Sequence, residues 1–263
     1  MILLSGCGGS GEGEATPQPP AATPPPATGR VVSAVVSSST TGYTYNISIY
    51  VPPSYETGSA SYPTIYVLDG DARFVGADTR MDSFTGILQR RGTNAILIGI
   101  GGTARRQTDF NFPGAYAYHD FLTLELIPFV EARFRTDPKK RMLSGLSTSG
   151  TFAATALFLE APNKLSFTYF LSAEGAFWQQ LGTVQSLEQG MFDAVAGNDL
   201  PVTLILARSS RSAGTNAQYV ADLYLRISGR SYAGLQLLET VFPFGHTEMD
   251  SPAFEDAIAR IFG

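Results

Sequence analysis

The chain has 263 residues, 44% of them hydrophobic, with a net charge of -5, one cysteine and two histidines. The acidic balance leaves no electrostatic footprint for nucleic acid or anionic lipid. Cys7 alone permits no internal disulfide, and with only His119 and His246 beside it no metal and no cofactor is expected.

The opening "MILLSGC" is an apolar start that reaches Cys7 behind Ser5 and Gly6, and it resembles the lipobox of bacterial lipoproteins. The resemblance implies a lipid on Cys7, a membrane as partner and residence in the bacterial cell envelope, on the periplasmic side or at the outer membrane. Residues 8–29 contain almost no large apolar side chain and read as a Gly/Ser-rich, then Pro-rich spacer. Residues 1–29 are therefore expected to be signal remnant and linker, and 30–263 the folded domain.

From residue 30 on, runs 31–36, 44–51, 64–69, 94–100, 141–145, 166–172, 202–207 and 235–242 read as eight strands. The run 44–51 alternates, with Tyr45, Ile47, Ile49 and Val51 on one face, which predicts a half-solvated antiparallel edge strand. Later runs are continuously apolar, as in parallel strands covered on both faces. Helical spacing appears over 119–134, where His119 opens the pattern, and over 151–160 and 216–228. A last helix over 251–262 is predicted to start with Ser251 as cap and Pro252 behind it. Strand and helix alternate, so the fold class is α/β: an eight-stranded, mostly parallel sheet with helices on both faces and no large cap domain.

In such a sheet chemistry gathers at the carboxyl ends of the strands. Ser147 lies in "SGLSTSG" (144–150), directly after one strand run and before a helix entry free of large side chains. A serine on so tight a turn points its hydroxyl outward, although the elbow pattern G-x-S-x-G has Ser149 at its fifth position and the glycine arrives late, at Gly150. His246 follows the last strand run and suits a general base. An oxyanion would need the N–H of Thr148 and one from the loop at Asp69–Gly70–Asp71, with Gly70 permitting the turn and Asp71 or its neighbour presenting the donor.

With these residues in view, the chain from about 44 to 262 resembles the esterase group of the α/β-hydrolases that includes esterase D, feruloyl and acetylxylan esterases and the enterobactin-type siderophore esterases. "YPTIYVLDGD", "ILIGIGGTARRQTDF", the stretch from 121 to 158, "SAEGAFW" and "GHTEMDSPAF" carry the resemblance. It implies ester hydrolysis by Ser147 and His246.

That family commonly places an acid after the seventh strand, where this chain reads "LILARSSRSAGTNAQ". Two alternatives stand: Glu174, after the sixth strand, or a Ser–His dyad of the kind some siderophore esterases resemble. Glu248 and Asp250 lie too close to His246 in sequence to orient it, and Asp222 is expected on the exposed side of its helix. Substrate contacts are expected from Arg106, Phe110 and Tyr116 on the loop that also carries Arg105, Phe112 and Tyr118, with Phe177 and Trp178 opposite. The functional expectation is a serine carboxylic ester hydrolase acting on a small or polymer-linked ester. The alternatives are an acyltransferase of the same fold, or a non-catalytic surface-anchored binding protein, for which the missing acid is the support.

Overall fold

The structure, a computed structural model, describes residues 29–161, 164–211 and 214–263. Cys7 and nearly all of the spacer lie outside the described residues. Eight strands form one sheet in the order β1-β2-β4-β3-β5-β6-β7-β8. They are β1 (Arg30–Ser37), β2 (Thr44–Val51), β3 (Tyr62–Val67), β4 (Ile96–Ile100), β5 (Thr136–Leu146), β6 (Tyr169–Ala173), β7 (Thr203–Ser209) and β8 (Gln236–Phe242). β2 runs antiparallel to β1 and β4, and every other pairing is parallel.

The continuous apolar runs are explained by the two buried faces. Met142, Leu171 and Ile205 point to one side, while Leu143, Phe170 and Leu204 point to the other. The first side is covered by α1 (Arg80–Arg91) and α8 (Asp250–Phe262), whose Phe84 and Phe254 rings stack at 3.7 Å. The second is covered by α3 (Gly114–Asp120), α4 (Ile127–Glu131), α5 (Thr148–Glu160), α6 (Leu181–Val195) and α7 (Thr215–Ser228), with the single turn α2 (Arg106–Asp109) at its rim.

Several expectations are corrected. β2 is not the edge, because β1 pairs along its outer side, and the exposed Val31 and Val35 belong to β1; the face with Tyr45, Ile47, Ile49 and Val51 is buried as expected, packed with Tyr118 and Phe121 on the helix side. The helix expected from His119 begins five residues earlier and passes through a π-helical turn at Phe121–Leu126, which places His119 in the last turn of α3 with Nε2 3.0 Å from Glu160 Oε1. Ser251 does not cap α8; the helix starts at Asp250 after Met249, with no side-chain cap. β5 extends back to Thr136 through polar residues, because its main chain pairs with Tyr62 at the start of β3. α1 and α6 were not foreseen, although α1 carries legible signals: a Thr79/Asp82 capping box and Gly92 in the left-handed region, φ 64°, at its end.

Candidate active site

Ser147 is the single residue between β5 and α5, with φ 61° and ψ -119°. A non-glycine residue at such a backbone position costs on the order of 1–3 kcal/mol and persists only where the surroundings enforce it. Two glycines make the enforcement possible. A Cβ on Gly145 would sit 2.0 Å from the Ser149 carbonyl oxygen, and one on Gly150 would lie 2.7 Å from that of Ala173. The late glycine is therefore needed where the first turn of α5 meets the end of β6. Ser149, the departure from the usual pattern, is fully buried, and its Oγ sits 2.9 Å from both the N and the O of Leu146, closing the turn from inside. The Ser147 hydroxyl makes no capping bond to α5.

The Ser147 turn is tied to the next strand end. Its N–H donates to the Ala173 carbonyl at 2.9 Å, and its own carbonyl accepts from Ala176 N–H at 3.1 Å. Glu174 lies within this clasp at φ 41°, anchored by its N–H to the Ala207 carbonyl at 2.7 Å. The Glu174 side chain is fully buried, and Oε2 stands 3.1 Å from His246 Nδ1. The contact leaves the imidazole Nε2 directed away from the carboxylate. Of the two alternatives for a third group, an acid is thus at hand directly after β6. The neighbours of His246 are engaged elsewhere: Glu248 accepts from Gly245 N–H at 3.0 Å, and Asp250 is buried against Arg80. Asp222 accepts from Gln218 on α7.

The opposite wall is the turn after β3. Gly70 donates its N–H to the Ile100 carbonyl at 2.7 Å, so it is no oxyanion donor; its role is close approach, since a Cβ there would fall 2.7 Å from Ile100 N. The Asp71 carboxylate accepts from Gly102 N–H and Thr103 N–H, each at 3.1 Å, and from the Thr103 hydroxyl. Among the described residues, no acceptor takes the main-chain N–H of Asp71 or of Thr148. Asp69, buried at φ 53°, accepts from Arg106 Nη2 at 3.0 Å, and Arg106 also reaches the Leu146 carbonyl at 3.2 Å. Burial holds the Asp69 carboxyl above the usual carboxylate range, against the opposing pull of Arg106.

Among the expected substrate contacts, Phe110 is corrected: it is buried between Tyr118 and Phe152, as core. Tyr118 is buried as well, and Arg105 is spent on Asp109 and the Tyr43 ring. Tyr116 and Trp178 are exposed at 49% and 46%, and Arg106 is partly exposed at the site floor. The aromatic walls meet through Gln180, which accepts from Phe112 N–H at 2.7 Å and donates to Asn111 at 2.6 Å. Trp178 Nε1 donates to Asn216 at 2.6 Å. Sequence reasoning missed Asn216 and Gln180, whose positions depend on loops far apart in the chain. No group of three or more His, Cys, Asp or Glu among the described residues could hold a metal ion, and none of the described helices is long and apolar enough to cross a membrane.

A family model described as "Putative esterase" matches residues 38–209. The chain belongs to this esterase family. The match includes Ser147 and Glu174 and stops short of His246, which rests on the geometry above. The esterase is similar to the ferri-bacillibactin esterase BesA of Bacillus subtilis (strain 168), 23% identical over 236 residues, covering 77% of this chain and 78% of BesA. It also matches the uncharacterized protein YbbA of the same organism, 30% identical over 149 residues, covering 51% of this chain and only 57% of YbbA. An IroE-like serine hydrolase from Shewanella oneidensis has the same fold, with TM-score 0.74 at 20% identity over 89% of this chain and 80% of that one. With the family established and an acid beside His246, the ground for a non-catalytic binder is gone.

Proposed function

We propose that this esterase cleaves carboxylic esters through an acyl-enzyme on Ser147, and the observation that carries the reading is Glu174 Oε2 3.1 Å from His246 Nδ1 beside the strained Ser147 turn. Glu174 accepts from Nδ1–H and so keeps Nε2 as the basic nitrogen. Ser147 Oγ attacks the ester carbonyl carbon while its proton passes to His246 Nε2. The oxyanion that forms is received by the N–H groups of Thr148 and Asp71, at the positive end of α5. Collapse breaks the bond to the alkoxy oxygen, and the imidazolium returns its proton to the departing alcohol. Water then enters by the same route and releases the acid and free Ser147.

The exposed Trp178 and Tyr116 favour an ester whose acyl or alcohol part carries an aromatic ring, and Arg106, partly exposed beside its pairing with Asp69, is the cation open to a negative charge on it. BesA, named as an esterase of a ferri-siderophore, makes siderophore esters the first substrate class to try. On the reading of Cys7 as a lipidation site, the enzyme works from the cell envelope, and mass analysis of the mature N-terminus tests that placement.

The test of mechanism is labelling with a fluorophosphonate. Wild type is expected to be modified at Ser147 and Ser147→Ala to stay unmodified; an unlabelled wild type overturns the acyl-enzyme reading. Adding a competing alcohol to the turnover assay separates hydrolysis from acyl transfer by its products.

A further inference from the structure

Arg80, the first residue of α1, is nearly fully buried, with a side-chain exposure of 1%. All five of its guanidinium N–H groups have acceptors. Nε donates to Asp250 Oδ2 at 2.7 Å and Nη2 to Asp250 Oδ1 at 2.9 Å. Nη1 donates to the carbonyls of Leu68 at 2.6 Å and Ser144 at 3.1 Å, and Nη2 also to Ser144 Oγ at 3.1 Å. Leu68 precedes the Asp69–Gly70–Asp71 turn, Ser144 lies three residues before Ser147, and Asp250 four residues after His246. One planar group therefore touches all three chain segments that carry the oxyanion donor, the nucleophile and the base.

The main chain around Arg80 repeats the connection. Its N–H donates to the Ala72 carbonyl at 2.7 Å and that of Met81 to the Gly70 carbonyl at 3.0 Å, so the N-terminus of α1 holds the oxyanion turn from both sides of Asp71. The guanidinium also lies 4.7 Å from the centroid of Phe84, whose ring stacks on Phe254 of α8. A buried ion pair is a poor source of net stability, because desolvating both charges offsets their attraction, and apolar side chains of similar volume often serve stability as well or better. A fixed fork of five donors does supply geometry, since it admits few arrangements of its acceptors.

We propose that Arg80 and Asp250 are positioning residues that set the His246 loop in register with Ser147 and the Asp71 turn, a role that rests on the acyl-enzyme reading above. Neither touches the ester; both act through the strand ends and the start of α8. Loss of the fork lets the base and the oxyanion donor drift against the nucleophile, and displacements of about 1 Å at reacting groups cost on the order of a hundredfold in rate. Substrate binding, which depends on the outer walls, is unaffected.

Two variants separate positioning from mere structural support. Arg80→Met combined with Asp250→Leu removes both charges and fills their space with apolar side chains, and Arg80→Lys keeps the ion pair but loses the fork. For each, the fold is checked by near-ultraviolet circular dichroism and Tm, and kcat and KM are measured on one activated ester beside wild type. The expected result is a native fold with kcat lowered about tenfold to a hundredfold and KM within about threefold of wild type. Should the double variant not fold, Arg80→Lys carries the test. A folded variant of either kind that keeps kcat within about twofold of wild type overturns the proposal. Wild-type labelling at Ser147 is scored separately, so failure of the acyl-enzyme reading is distinguishable from failure of the clamp.

Discussion

Glu174→Gln isolates the contribution of the carboxylate to His246 without changing its shape. An imidazolium and a carboxylate 3.1 Å apart attract by about 5 kcal/mol at an effective dielectric of about 20. The His246 side chain is 36% exposed, so water replaces part of that attraction. The lower bound is a single charge-assisted hydrogen bond, about 1.5–3 kcal/mol. The amide also presents a donor that favours the wrong imidazole tautomer. At about 1.4 kcal/mol per decade, kcat/KM should fall by about 10- to 10⁴-fold. Glu174 is fully buried, so KM should barely move. One of its oxygens has no hydrogen-bond partner among the described residues and the charge is costly to bury, so Tm should hold or rise. The assay is turnover of an activated ester together with the rate of fluorophosphonate labelling. A variant that keeps kcat/KM within about threefold of wild type would refute the reasoning, because the contact with His246 would then have no catalytic consequence.

Gly70→Ala places a Cβ 2.7 Å from Ile100 N and 2.8 Å from the Gly99 carbonyl carbon, which displaces the turn carrying the Asp71 donor; steady-state kinetics should show kcat lowered by about 10²- to 10³-fold with a smaller change in KM. Ser149→Ala leaves the Leu146 N–H without its buried acceptor, and urea unfolding should register a loss of about 1–3 kcal/mol. Burial pushes the Glu188 carboxyl up, but donors from Arg230, Arg226 and Tyr232 outweigh it and hold the group below the usual carboxylate range. A depressed folded-state value contributes stability that is present above the unfolded value and lost as pH falls through the folded one. Glu188→Gln should therefore lower stability by about 1.5–3 kcal/mol at neutral pH, with the gap to wild type closing below about pH 4 in urea titrations.

The sequence by itself determined the strands and the candidate groups at their ends. Eight apolar runs became the eight strands, because apolar residues on both faces of a parallel strand leave an unbroken pattern. Ser147 and His246 were legible because a small-residue turn after a strand and a lone loop histidine are local signals. Glu174 was legible only as one of two alternatives. Its pairing with His246 spans 72 residues and depends on β8 lying one strand beyond β6, across β7, a relation that no local pattern encodes. Phe110 failed for the related reason that an aromatic on a loop looks the same whether it faces solvent or core, and packing against Tyr118 and Phe152 turned it inward. The Arg80 fork was invisible for the same cause: its acceptors lie 12, 64 and 170 residues away, and only the crossing of α1, β3, β5 and α8 brings them within reach of one side chain. Composition and periodicity decide which segments are buried, whereas the tertiary structure decides which of their polar groups meet.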